Sequence, residues 1–285
     1  RGRNVLQYVA GNYSRQNNIP FVWGTNGEDS AESWKNVRRL KQKRRSFIRK
    51  VGLFPFKVYE DLYINKGMRM PTSIVNQSIQ QKESVKTLLK RDGLVLPSYF
   101  LSVEIESEKK DIILWLATLS IQKQPEIFIE LIKRLNLDEW TAVLAGGTEN
   151  KNYSNSIDDK IIGSKIQTIG KVEFKDSFKY YQQAKIYINT SLPQADGLPN
   201  AYIQSWLSGT IVLSLHHDPN NWMETHNIGY CSNGDIDKFV NKLQALIENE
   251  KELLVMSDNA IKFAQNKFSS VSIIEKYKML FKGSI

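Results

Sequence analysis

From Asp111 onward, short apolar runs alternate with stretches of helical periodicity. Ile112–Ala117 is apolar at every position, the pattern of a strand buried on both faces of a parallel sheet. Phe128, Leu131, Ile132 and Leu135 recur at i, i+3, i+4 and i+7, which is one face of a helix. Further strands are expected at Ala142–Ala145, Ile166–Ile169, Ile186–Asn189, Ile211–Leu215 and Ile228–Cys231. Helices are expected at Ser177–Ala184, Pro199–Leu207 and Asp218–Asn227, and at Asp237–Glu248, Lys251–Lys267 and Ser272–Phe281 to the end. Asn150–Asp158 is polar and reads as a mobile loop. Such alternation predicts a doubly wound parallel sheet, with ligands at the carboxyl ends of its strands.

The segment before Asp111 follows the same order less regularly. A helix at Val5–Val9, a strand at Phe21–Trp23, a helix at Phe56–Lys66 ended by Gly67, a strand at Thr72–Val75, a helix at Gln80–Arg91 and a strand at Leu94–Leu96 are expected. Pro97 to Lys110 holds a proline, acids and no clear period. The expected organisation is therefore an amino-terminal domain at 1–96, a linker at 97–110 and a carboxyl-terminal domain at 111–285. No apolar run approaches the ~20 residues that span a bilayer. The single cysteine, Cys231, excludes an internal disulfide framework and fits a reducing compartment, hence the cytoplasm. The chain opens at Arg1 without a signal segment and reads as beginning inside a domain.

Net charge is +9, and much of it is local. Lys35–Lys50 carries nine cations and no acid, with Val37, Leu40, Phe47, Ile48 and Val51 at helical spacing. The segment reads as one basic amphipathic helix. It would meet an anionic membrane through charge more than insertion, bind nucleic acid, or be a solvated face. Nucleic acid is the reading set aside.

The densest candidate site runs Asp196-Gly197-Leu198-Pro199-Asn200 to Gln204-Ser205-Trp206, after the strand that ends in Asn189-Thr190-Ser191. Pro199 fits a first helical turn, where its missing N–H costs nothing. A helix amino terminus at the end of a parallel strand is a natural phosphate and sugar site. Asp196 and Gln204 lie a little over two turns apart and can face one ligand. The plain alternative is an ordinary strand-to-helix turn.

This stretch resembles the donor-site signature of the group 1 glycosyltransferases, retaining enzymes of the GT-B fold, with Asp196 and Gln204 where the family usually carries two glutamates. Other segments are similar to the family in the same order. These are Leu114-Trp115-Leu116-Ala117 with Lys123-Gln124-Pro125-Glu126, Ile169-Gly170-Lys171-Val172, Tyr181–Ser191, Asp218-Pro219-Asn220 and Asn227-Ile228-Gly229. Asn76-Gln77 resembles the end of the family's amino-terminal domain. The resemblance implies an α/β protein of GT-B type, with a doubly wound carboxyl-terminal donor domain and a partial Rossmann-like amino-terminal domain.

The implied activity is sugar transfer from a nucleotide-sugar donor to a glycan or lipid-linked acceptor, with retention, in cell-surface polysaccharide synthesis. It would proceed in the cytoplasm or peripherally on the inner membrane face, without metal or cofactor. Lys123 and Asp196 would be catalytic, Lys123 on the donor phosphates and Asp196 on the sugar hydroxyls. Gly170 and Val172 would line the base. Gly197 and Leu198 would offer backbone N–H groups, next to Pro199 and Asn200, and Gln204 would bind the ribose. Thr118 stands in the region where the family often carries an arginine, and a hydroxyl cannot reproduce forked phosphate binding. That departure and the short amino-terminal half imply weak or absent turnover. They also leave a non-catalytic nucleotide-sugar-binding scaffold as an alternative, with a nucleotide-sugar epimerase as a further one. His216-His217-Asp218 invites a metal reading. Adjacent side chains at a strand end diverge, so a surface turn is expected instead.

Overall fold

The computed structural model describes residues 3–25, 27–42, 46–98, 100, 108–193, 198–268 and 270–282. The chain forms two compact units, Arg1–Ser98 with Val271–Ile285, and Tyr99–Ser270.

The first unit holds a parallel sheet of order β1-β2-β3 (Val22–Gly24, Ser73–Asn76, Leu94–Val95). Its helices are α1 (Leu6–Asn17), α2 (Lys35–Gln42), α3 (Phe47–Gly67) and α4 (Ile79–Leu89). The Ser78 hydroxyl accepts from the Gln81 N–H and starts α4, the usual role of serine at that position. Trp23, Ile64, Met68, Ile74, Val85 and Leu89 form one core. Val75 and Leu96 form another with Leu280, against which Tyr277 and Val22 pack.

Leu280 and Tyr277 belong to the last helix, α12 (Ser270–Phe281). Residues 271–285 therefore group with the first unit, not with the carboxyl-terminal domain expected at 111–285, because their apolar side chains are buried on the first unit's core. A second correction concerns the single basic helix expected over Lys35–Lys50. Two helices occupy it, and α3 starts at Phe47 rather than Phe56. Ser46, with φ −58° and ψ 148°, is not helical. Lys43, Arg44 and Arg45 lie outside the described residues.

The second unit carries six parallel strands in the order β6-β5-β4-β7-β8-β9. They are β4 (Lys110–Leu116), β5 (Thr141–Ala145), β6 (Ile166–Gly170), β7 (Ala184–Asn189), β8 (Ile211–Ser214) and β9 (Gly229–Cys231). The intervening helices are α5 (Pro125–Lys133), α6 (Lys151–Ile161), α7 (Ser177–Gln183), α8 (Asn200–Leu207) and α9 (Trp222–His226), and α10 (Ile236–Ile247) and α11 (Glu250–Phe268) follow. The pleat sends successive side chains of β4 to opposite faces. Ile113 and Trp115 join Phe128, Ile132 and Phe239 on one face, while Leu114 joins Tyr187, Trp206 and Phe268 on the other.

The loop expected over Asn150–Asp158 is the helix α6. The Asn150 side chain accepts from the Tyr153 N–H and caps it. Tyr153, Ile157 and Ile161 pack on the core at i, i+4 and i+8, a stripe narrow enough to leave the segment polar on average. Of the expected linker, residues 99 and 101–107 lie outside the described residues. Its end is firmly held: Lys109 Nζ donates to Tyr181 O at 2.9 Å, Ala184 O at 2.6 Å and Thr210 Oγ1 at 2.6 Å.

Candidate functional site

The strand order of the second unit changes direction between β4 and β7, and ligands of open α/β sheets bind outside the carboxyl ends of strands at such a point. Residues 117–124 leave β4 there, and the segment from Thr190 onward leaves β7. The buried Thr190 hydroxyl joins them. It accepts from Trp115 Nε1 at 2.9 Å and faces the carbonyls of Lys123 at 2.7 Å and Gln124 at 2.9 Å, to which it can donate. Beyond it, Leu192 N donates to Gln122 O at 2.9 Å.

Lys123 N and Gln124 N both donate to Ser120 O. Gln124 takes a left-handed conformation (φ 48°), and Pro125 starts α5 directly after it. The half-buried Lys123 is therefore carried on a tight turn at a helix amino terminus, where the backbone dipoles favour an anion.

The loops after β5 and β6 close onto the same end. Ala117 N donates to Ala145 O, Leu119 N to Gly147 O and Gly146 N to Gly170 O. A Cβ on Gly146 would lie 2.0 Å from Ala117 O, so the approach requires glycine at this position.

The expected site residues fall in distinct places. Thr118 is exposed on the loop that carries Lys123. Gly170 is exposed at the end of β6 with φ 75°, and Val172 packs on the second core face. The Leu198 side chain is buried in that core. Pro199 is the cap of α8 rather than a first-turn residue, with an extended ψ of 132°, and Asn200 is the exposed first residue of the helix. Gln204 is buried, and its Nε2 donates to Ser177 Oγ at 3.0 Å. Ser177 Oγ in turn donates to Phe174 O at 2.7 Å. Gln204 thus reaches the start of α7, just after the Gly170–Val172 segment. Asp196 and Gly197 lie outside the described residues.

His216-His217-Asp218 forms a turn. His217 N donates to Ser214 Oγ at 3.0 Å, and the Asp218 carboxylate accepts from Met223 N at 3.0 Å and Glu224 N at 3.4 Å. Burial holds the His216 imidazole below its usual range and lifts Asp218. Among the described residues no three His, Cys, Asp or Glu side chains gather as a metal set. Trp115, Gly146, Ser177 and Thr190 hold these loops together and are not among the expected site residues. Each resembles an ordinary core or turn residue until its partner, remote in the chain, is known.

Six parallel strands in this order, with loops laced at the switch point, define a doubly wound domain of the Rossmann type. Residues 101–263, more than half of the chain, match the family described as glycosyl transferases group 1, and the chain belongs to that family. No curated protein matches it. Among solved structures it is similar to Anabaena HepE in complex with UDP, at 15% identity over 97% of this chain and 76% of HepE, with a TM-score of 0.76. WaaG, a glycosyltransferase involved in lipopolysaccharide biosynthesis, matches at 10% identity over 95% and 80% of the two chains, with a TM-score of 0.67. A mutant of S. aureus TarM in complex with fondaparinux, α-GlcNAc-glycerol and UDP matches at 15% identity over 96% and 58%, with a TM-score of 0.66. The fold is the α/β GT-B fold of these glycosyltransferases, as expected from the donor-site resemblance.

Proposed function

We propose that this glycosyltransferase moves a sugar from a nucleoside-diphosphate sugar to a glycan or lipid-linked acceptor with retention, in cell-surface polysaccharide assembly at the cytoplasmic face of a membrane. The observation that carries the donor half is the Thr190 lacing, which fixes the turn bearing Lys123 at the amino terminus of α5. As the glycosidic bond breaks, negative charge grows on the leaving diphosphate. A preorganised ammonium and helix-terminal N–H groups stabilise that charge where it develops. The reading therefore calls for no metal or other cofactor. Asp196 would accept from sugar hydroxyls, with Gly197 and Leu198 offering N–H groups. Gln204, steadied by Ser177, would meet the ribose, and Gly170 with Val172 would border the base. HepE and TarM have been crystallised with UDP, which supports a uridine nucleotide as the first donor to try.

Calorimetry with a panel of nucleoside diphosphates tests this. One should bind, and Lys123→Ala should weaken it by about 1.5–3 kcal/mol, the range of a charge-assisted hydrogen bond. No binding across the panel would overturn the donor assignment. Retention is read from the anomeric configuration of the product. The exposed Thr118, which cannot supply a bidentate cation, favours a second reading, a donor-binding scaffold. Saturable nucleotide-sugar binding with no transfer to any acceptor would select it.

A further inference from the structure

Exposed apolar surface in the first unit gathers on α3. Phe47 and Ile48 are 80% and 84% exposed, Val51 56%, Tyr59 62% and Leu62 41%. At about 100° per residue these five fall in one stripe roughly 120° wide, with Phe54 (46% exposed) at its edge, while Phe56 (69%) faces away from it. Asp61, Ile64 and Gly67, the buried residues of α3, lie on the other side of the helix. Scattered exposed hydrophobics are ordinary, but a row of aromatic and branched side chains along one helix marks an interaction surface. At its start, Leu40, Val51 and Phe54 line a small apolar cavity of about 200 Å³ together with Lys41 and Lys50.

Along the amino-terminal part of this stripe the charges are of one sign, and Glu60, between Tyr59 and Leu62, is paired with Lys57. No acid occurs between Glu32 and Glu60. Lys35, Arg38 and Arg39 of α2 pair with Asp29 and Glu32, so much of that helix's charge is already answered within the fold. Lys41 lies at the cavity, and Arg49 and Lys50 flank the apolar row on its two sides, with Lys50 Nζ donating to Lys41 O. Among the described residues no helix is long and apolar enough to cross a membrane. An apolar row bordered by cations suits a surface that is hydrocarbon beneath and anionic at its headgroups. A second copy docked stripe to stripe would set these cations against their own kind.

We propose that α3 is an interfacial anchor. Phe47, Ile48, Val51, Tyr59 and Leu62 enter the acyl boundary of an anionic bilayer, while Lys41, Arg49 and Lys50 meet its lipid phosphates. The proposal rests on the membrane-face reading above. It replaces the expectation of a contact made by charge more than insertion.

The test is vesicle co-sedimentation of the full chain, with vesicles containing anionic phospholipid and with phosphatidylcholine alone. Anionic vesicles should bind at least about tenfold better, and part of the binding should survive about 0.5 M salt, where surface charges are screened within a few ångströms. Phe47→Ser/Ile48→Ser should lose at least about tenfold in partitioning, a loss of one log unit in the partition constant. Phe47→Trp, measured against the unmodified chain, should add a component that shifts to the blue on anionic vesicles. Wild-type partitioning by the double-serine variant, complete release by salt, or no blue shift would overturn the anchor. So would a dimer in solution that the double-serine variant dissolves while vesicle binding stays unchanged. Nucleoside-diphosphate binding is measured on the same variants. Its retention shows an intact fold, and its absence from every form counts against the donor reading and leaves the anchor result standing.

Discussion

The Thr190 hydroxyl stands between an indole N–H and two carbonyls, all supplied by residues more than sixty positions away. Thr190→Val keeps its shape and removes the acceptor for Trp115, leaving a buried donor unpaired at a cost of about 1–3 kcal/mol. A fall of that size in unfolding free energy, with weaker nucleoside-diphosphate binding, is the expected outcome. Unchanged affinity would show that the turn bearing Lys123 is held by other contacts. Lys109 makes a different demand. Burial pushes its pKa from 10.5 down to about 7. Between those values the unfolded chain binds a proton that the folded chain does not, so stability rises with pH across the window and is flat below it. Urea melts of wild type and Lys109→Met should diverge steadily from pH 7 towards pH 10.5, the wild type gaining relative to the variant. A pH-independent difference would show that the three oxygen acceptors hold the ammonium charged in spite of burial.

Among the elements, α6 depends on its cap and α12 on its tertiary contacts. Asn150→Ala removes the side-chain acceptor for Tyr153 N and should cost about 0.5–2 kcal/mol. Fraying of α6 is then read as faster amide exchange over 151–161, and unchanged exchange would count against the cap. Leu280 is 1% exposed and lies in a core with Val75 and Leu96. Leu280→Ala should therefore cost about 2–5 kcal/mol, with the loss of exchange protection in β2 and β3. Loss confined to β4–β9 would contradict the grouping of α12 with the first unit.

For the whole molecule, a donor nucleotide held by the second unit should stabilise that unit by about 2.7 kcal/mol at a hundred times its dissociation constant. Amide protection should rise in β4 and β7 and their loops. An equal rise throughout β1–β3 would show that the units respond as one. The six-strand sheet of that unit was legible in the chain because parallel strands buried on both faces must be apolar at nearly every position, as Ile112–Ala117 is. The family was legible because its donor signature is a local run of residues. Local pattern also marked α4, expected at Gln80–Arg91 and found at Ile79–Leu89, and the helix α8. It did not mark the break at Ser46, the narrow-striped α6, or the unit that α12 joins. It was silent on which loop residues meet at the switch point. Those depend on partners distant in sequence: Thr190 on Trp115 and the 123–124 carbonyls, Gln204 on Ser177, Leu280 on Val75. Periodicity and capping are properties of neighbours along the chain and are written in its order. A buried hydrogen bond or a helix's choice of core is set by which surfaces the folded chain brings together, and only the tertiary structure decides that.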